Sequence, residues 1–114
     1  MWIFTTVGFF SVVQKPNETF LTVRARVAAD LDRLREKYMP ELSETTSRGG
    51  TDYPCRATIG HEDFARGVTK LARDIHYSNF KNEDQSKMGN KREQVYSKVW
   101  SVLKQLERLP EDER

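Results

Sequence analysis

Phe20-Leu21-Thr22-Val23-Arg24-Ala25-Arg26-Val27 is the stretch that decides the fold. Leu21, Val23, Ala25 and Val27 fall on one side of an extended chain, and Thr22, Arg24 and Arg26 fall on the other. That period-two contrast is a half-buried strand. The apolar period then changes without a break. Val27, Leu31, Leu34 and Tyr38 follow at the spacing of one helix face. Asp30, Asp32, Arg33, Arg35, Glu36 and Lys37 take the opposite, wet side, and Pro40 ends this first helix.

Upstream, residues 2–14 are rich in aromatic and β-branched types, interrupted by Gly8, which marks a bulge, a bend or a short turn. Lys15-Pro16-Asn17-Glu18-Thr19 is a turn cluster. Residues 9–14 and 20–26 are therefore predicted to pair as a hairpin with a loop of about five residues. Downstream, residues 41–52 read as a polar loop, and Arg48-Gly49-Gly50-Thr51 lacks the strand-before, helix-after setting of a phosphate loop. Cys55 to Ile59 alternates again, with Arg56 and Thr58 opposed to Cys55, Ala57 and Ile59. Gly60-His61-Glu62-Asp63 opens a second helix whose face is Phe64, Val68, Leu71 and Ile75. Residues 76–90 are polar apart from Tyr77, Phe80 and Met88. Asn90 with Glu93 resembles a capping box, and a third helix carries Val95, Val99, Val102 and Leu106, widened by Tyr96, Trp100 and Leu103.

The order strand, strand, helix, strand, helix, helix predicts an α+β fold. Its preferred form is a small antiparallel sheet covered by helices, a ferredoxin-like half-unit (ββαβα) plus a C-terminal helix. Residues 1–109 make a single domain in this reading, and 110–114 a charged tail. The predicted core is Leu21, Val23, Leu31, Leu34, Ile59, Phe64, Val68, Leu71, Ile75, Val99 and Leu103.

Composition narrows the function classes. The chain has 114 residues with 19 Lys plus Arg against 17 Asp plus Glu, a net charge of +2. So weak a charge does not announce a nucleic-acid binder, although local clustering can make one. One cysteine excludes an intramolecular disulfide framework and a multi-cysteine zinc site. No apolar run approaches the roughly 20 residues needed to cross a bilayer. The opening Met1-Trp2-Ile3-Phe4-Thr5-Thr6 lacks the basic start and cleavage site of a secretory signal, so a cytoplasmic location with no membrane partner is expected. No motif calls for a cofactor.

Several blocks carry a resemblance. Thr5-Thr6-Val7-Gly8-Phe9-Phe10-Ser11-Val12-Val13, then Val23-Arg24-Ala25-Arg26, Asp52-Tyr53-Pro54, Asp74-Ile75-His76-Tyr77-Ser78-Asn79-Phe80-Lys81 and Val99-Trp100-Ser101-Val102 are similar to successive blocks of a family of small uncharacterised bacterial proteins. The resemblance spans residues 1–106 and implies no particular activity. It places Cys55 where relatives carry an aromatic, which argues against a required thiol there.

Three constellations bear on function. If Arg24, Arg26 and Arg56 share a sheet face, their forks suit phosphate or carboxylate. Phe9 and Ser11 join that face if Gly8 sets the register so, and an aromatic beside arginines on a sheet can stack single-stranded bases. The structural alternative is that carboxylates, for instance Glu93 or Glu107, cap these arginines. The second constellation is His76, Tyr77, Asn79 and Lys81, dense in chemistry-capable groups but without a nucleophile fixed beside a base. Its structural alternative is a helix stop with Tyr77 and Phe80 packed at the core edge. The third is Cys55, His61, Asp63, Asp52 and His76, which lack metal-ligand spacing. With no catalytic constellation, the leading expectation is a non-catalytic interaction module, a homodimer or an accessory subunit with a protein partner. Nucleic-acid or nucleotide-phosphate binding through the arginine face comes second. An enzyme built on 76–81 comes last.

Overall fold

The structure, a computed structural model, describes residues 1–47 and 52–114, so the 48–51 stretch weighed as a phosphate loop lies outside the described residues. The chain groups into two compact units, Met1–His76 and Tyr77–Arg114.

The first unit is an antiparallel sheet of β1 (Trp2–Thr5), β2 (Gly8–Val13), β3 (Leu21–Ala25), β4 (Thr46–Ser47) and β5 (Cys55–Ile59), in the order β1-β2-β3-β5-β4. Helix α1 (Ala28–Lys37) joins β3 to the β4–β5 pair, and α2 (His61–Arg73) follows β5. The expected ββαβα succession is present as β2-β3-α1-β5-α2, with β1 and the short edge strand β4 added. Gly8 is the turn: at φ +154° it starts β2 and lets residues 2–5 fold back, so that Thr5 pairs with Gly8 and Trp2 with Ser11. Asn17, at φ +65°, supplies the left-handed residue of the β2–β3 connection.

Register assigns the two faces. Phe10, Val12, Val23, Ala25, Cys55, Ala57 and Ile59 point to the helices and are buried with Leu31 and Leu34 of α1. Phe64, Val68 and Leu71 of α2 and Leu21 of β3 pack against that core half-buried. Gly67 is where α2 comes close: a Cβ there would lie 2.7 Å from Met39 Cε, so its small size admits the buried Met39 side chain.

Beyond the core positions that are only half-buried, Asp30, its partner Arg33 and Ile75 depart from expectation. Asp30 was expected on the wet side of α1, yet it is only 2% exposed. Its Oδ2 accepts the Phe9 N–H at 3.1 Å, its Oδ1 pairs with Arg33, and Arg33 Nε donates to the Val7 carbonyl at 3.0 Å. Helix and turn are thus clipped together through a carboxylate that sequence reading assigned to solvent. Ile75 was expected in the core but is 56% exposed, because α2 stops at Arg73 and Asp74 caps it.

The second unit is a helical hairpin, α3 (Phe80–Met88) and α4 (Asn90–Leu103), followed by 3-10 turns at Lys104–Arg108 and Glu111–Glu113. α3 was not foreseen. With apolar residues only at its two ends it has no periodic stripe to read. Its presence selects which side of α4 packs: Tyr96, stacked on Phe80 at 6.1 Å between centroids, is buried. Leu103, expected in the core, is 53% exposed as the last residue of α4, and Val99 is half-buried. The Asn90–Glu93 capping box is absent. Gly89 is the cap residue, Asn90 Oδ1 accepts from Gln85 at 2.5 Å, and Glu93 accepts from Ser97 at 2.5 Å. The charged tail is tied back, Arg114 Nε donating to the Leu109 carbonyl at 3.0 Å.

A Cβ on Gly8 would stand 2.5 Å from Asp30 Cγ in addition to its unfavourable φ. Gly8→Ala is expected to cost about 2 kcal/mol. Asp30→Ala, which removes the acceptor of the Phe9 amide and the carboxylate partner of Arg33, is expected to cost about 3 kcal/mol. Because removing Asp30 makes room for the new methyl group, urea unfolding of the double variant should give less than the sum. Full additivity would mean that the two residues do not constrain each other.

Candidate functional site

The face of the sheet turned away from α1 and α2 carries the other half of each alternation. The register pairs Trp2 with Ser11, Ser11 with Arg24, Arg24 with Arg56, and Arg56 with Thr46, a single row across all five strands. Phe4 pairs with Phe9 in the adjoining row. The condition set for the arginine face is met in geometry: β5 lies beside β3, and Arg24 and Arg56 are direct cross-strand partners. Arg24 and Arg26 project from the same side of the chain with Cα atoms roughly 6.6–6.8 Å apart.

Tyr53, buried just before β5, organises these arginines. Its ring centroid is 4.7 Å from the guanidinium carbon of Arg24 and 4.4 Å from that of Arg26. Arg24 donates to Ser11 Oγ at 2.7 Å, Arg26 to the Asp52 carbonyl, and Arg56 to the Tyr53 carbonyl at 3.4 Å. All three acceptors are neutral. No carboxylate of the described residues in the first unit forms an ion pair with any of the three arginines. Arg24 Nε is shielded from water and has no hydrogen-bond partner among the described residues. The middle of the row is closed to solvent, Ser11 and Thr22 being buried, so the outer N–H groups of the forks are the donors a ligand would meet.

An aromatic edge flanks the row on β1 and β2. Trp2 is 68% exposed and meets Phe9 edge-on at 5.6 Å, while Phe4 and Phe9 lie 4.5 Å apart. On the other flank Lys15, Glu18 and Phe20 of the β2–β3 connection, Thr46 of β4 and Arg56 and Thr58 of β5 border a cleft of about 320 Å³. From the Trp2 strand to the Arg56 strand is three strand spacings, roughly 14 Å. Guanidiniums between an aromatic edge, of which Trp2 is exposed and Phe4 and Phe9 half-buried, and a polar cleft suit a ligand that carries both negative charge and flat rings.

Phe9, Arg24, Arg26 and Arg56 were legible as one group, whereas Trp2, Tyr53 and the cleft were not. Trp2 follows from parity once Gly8 is read as the turn. Nothing local marks Tyr53 as the ring that two arginines share.

The 76–81 group is used differently. Asn79 is the N-cap of α3, accepting from the Asn82 N–H at 3.0 Å, so it starts a helix rather than stopping one. Tyr77 and Phe80 are ring neighbours at 6.2 Å, and Lys81 lies 4.5 Å over the Trp100 ring. His76 is exposed. Among the described residues no three His, Cys, Asp or Glu side chains gather closely enough to hold a metal. His61 Nε2 hydrogen-bonds Gln14 at 2.9 Å, Asp63 pairs with Arg66, and Cys55 faces the core beside Ser47 Oγ at 3.7 Å. No described helix is long and apolar enough to cross a membrane.

Buried thiols are inert. Cys55 should react with an aromatic disulfide reagent orders of magnitude more slowly in the native protein than in denaturant, followed by absorbance. Rapid native labelling would contradict its inward placement. No family model, curated protein or solved structure matches the chain.

Proposed function

We propose that the outer sheet face of the first unit binds single-stranded nucleic acid, its phosphates meeting the arginine row and its bases stacking along the aromatic edge. The β3–β5 register is the observation that carries this reading. It sets Arg24 opposite Arg56, like charge against like, with a second guanidinium pair held on the Tyr53 ring, and among the described residues of the first unit the hydrogen-bond acceptors of all three arginines are neutral. Like charges directly opposite destabilise a strand pair. A phosphate oxygen between the forks converts that repulsion into charge-assisted hydrogen bonds. Stacking of a base on an exposed ring such as Trp2 contributes about 1–3 kcal/mol. With a net charge of only +2, affinity rests on this cluster rather than on a general field.

The α4 helix supports a second reading, self-association or docking of a protein partner. Val95, Trp100, Val102 and Leu103, with Leu106 of the 3-10 turn that follows, each keep more than half of their surface in water. Mass by light scattering tests it. A strict monomer at high concentration, with no co-purifying protein, removes it.

Fluorescence anisotropy of a labelled single strand of about 12 nucleotides tests the first reading. Three arginine–phosphate contacts should give a slope of log affinity against log salt of about −2, from about 0.7 per contact. Arg24→Ala/Arg26→Ala should weaken binding at least tenfold and reduce the slope to about −0.7. Binding without salt dependence, or untouched by the double variant, would refute it.

A further inference from the structure

We infer that the cleft beside Arg56 reads the 2′-hydroxyl of a bound nucleotide through Glu18, so that the face prefers RNA to DNA; this rests on the reading of that face as a nucleic-acid site. The cleft continues the arginine row, because Arg56 belongs to both. Its cations, Arg56 and Lys15, share the wall with two acids, Glu44 and Glu18, and the Glu18 carboxylate makes no hydrogen bond or ion pair among the described residues. One oxygen of that carboxylate is shielded from water. An ionised carboxylate accepts and never donates. It repels phosphate and calls for a neutral donor close to one.

A ribonucleotide carries that combination within one unit. A phosphate on Arg56 and Lys15 leaves the attached sugar to face Glu18, and only ribose offers a 2′-hydroxyl donor there. Glu18 sits where the chain is firmly held. Its amide donates to the Lys15 carbonyl at 3.2 Å, its carbonyl accepts from Gln14 Nε2 at 2.7 Å, and Asn17 before it is fixed in the left-handed region. The neighbouring Phe20 ring, 38% exposed, gives the base a surface to lie on. The hydroxyls of Thr46 and Thr58 complete a polar wall. The volume of about 320 Å³ is at the small end of ligand pockets, which suits one nucleotide rather than a folded partner.

The experiment compares RNA, DNA and 2′-O-methyl RNA strands of one sequence, about 12 nucleotides long, by anisotropy on the full chain. RNA should bind roughly tenfold more tightly than DNA, and the 2′-O-methyl strand, which lacks the donor, should bind like DNA. Glu18→Ala should bring RNA and DNA to parity by lowering RNA affinity, while DNA affinity holds or rises as a negative charge is lost. Glu18→Gln, which keeps an acceptor, should retain part of the preference. Equal wild-type affinities for RNA and DNA, or a preference that survives in Glu18→Ala, would overturn this inference and leave the nucleic-acid reading standing. Absence of binding to all three strands would overturn both. The 2′-O-methyl comparison needs no altered protein, so a variant that folds poorly does not blunt the test.

Discussion

The first unit depends on a buried carboxylate. Asp30 holds the Phe9 amide and Arg33 at once, and Arg33 reaches the Val7 carbonyl, so helix α1 is fastened to the turn that reverses β1 onto β2. Without that reversal Trp2 and Phe4 would continue away from the sheet rather than pair with Ser11 and Phe9. A charge buried this way costs desolvation, which its partner and hydrogen bonds must offset. What the arrangement secures is register, and a slip of one residue would exchange the two faces of β1. The aromatic edge is therefore a remote product of a helix residue on the opposite side of the sheet.

The outer face then follows from alternation. Each strand spends one parity on the core, and the remaining parity has to be accommodated elsewhere. In β3 and β5 that remainder is Thr22, Arg24, Thr58 and Arg56, and the pairing aligns cation with cation. Tyr53 takes up part of the strain by offering its ring to Arg24 and Arg26. Arginines whose hydrogen-bond acceptors are neutral keep more of their positive potential than ion-paired ones would.

Reading from the sequence succeeded where one period ruled. The β3 alternation, the α1 stripe and the β5 alternation each lie within a few residues, and their burial follows in Val23, Leu31, Leu34, Ala57 and Ile59. The arginine face was legible for the same reason, since it is the complement of those core positions. It failed where a long-range partner chose the outcome. Asp30 is indistinguishable from Asp32 until the turn at Gly8 stands beside it. The α3 helix has two apolar ends and a polar middle, so its packing against Tyr96 left no repeating trace. Tyr53 acquires its place because β5 begins opposite Ala25, which brings the residues just before it to the C-terminal end of β3.

Gly67 and Met39 carry an implication for how such a chain can vary. The two residues occupy one shared volume, with α2 resting where the Met39 side chain ends. Neither position is free to change alone: a larger residue at 67 requires a shorter one at 39, and a shorter residue at 39 leaves a void that only a side chain at 67 refills. Divergent copies of this fold should therefore exchange bulk between a loop residue and a helix residue 28 positions apart, as a compensating pair.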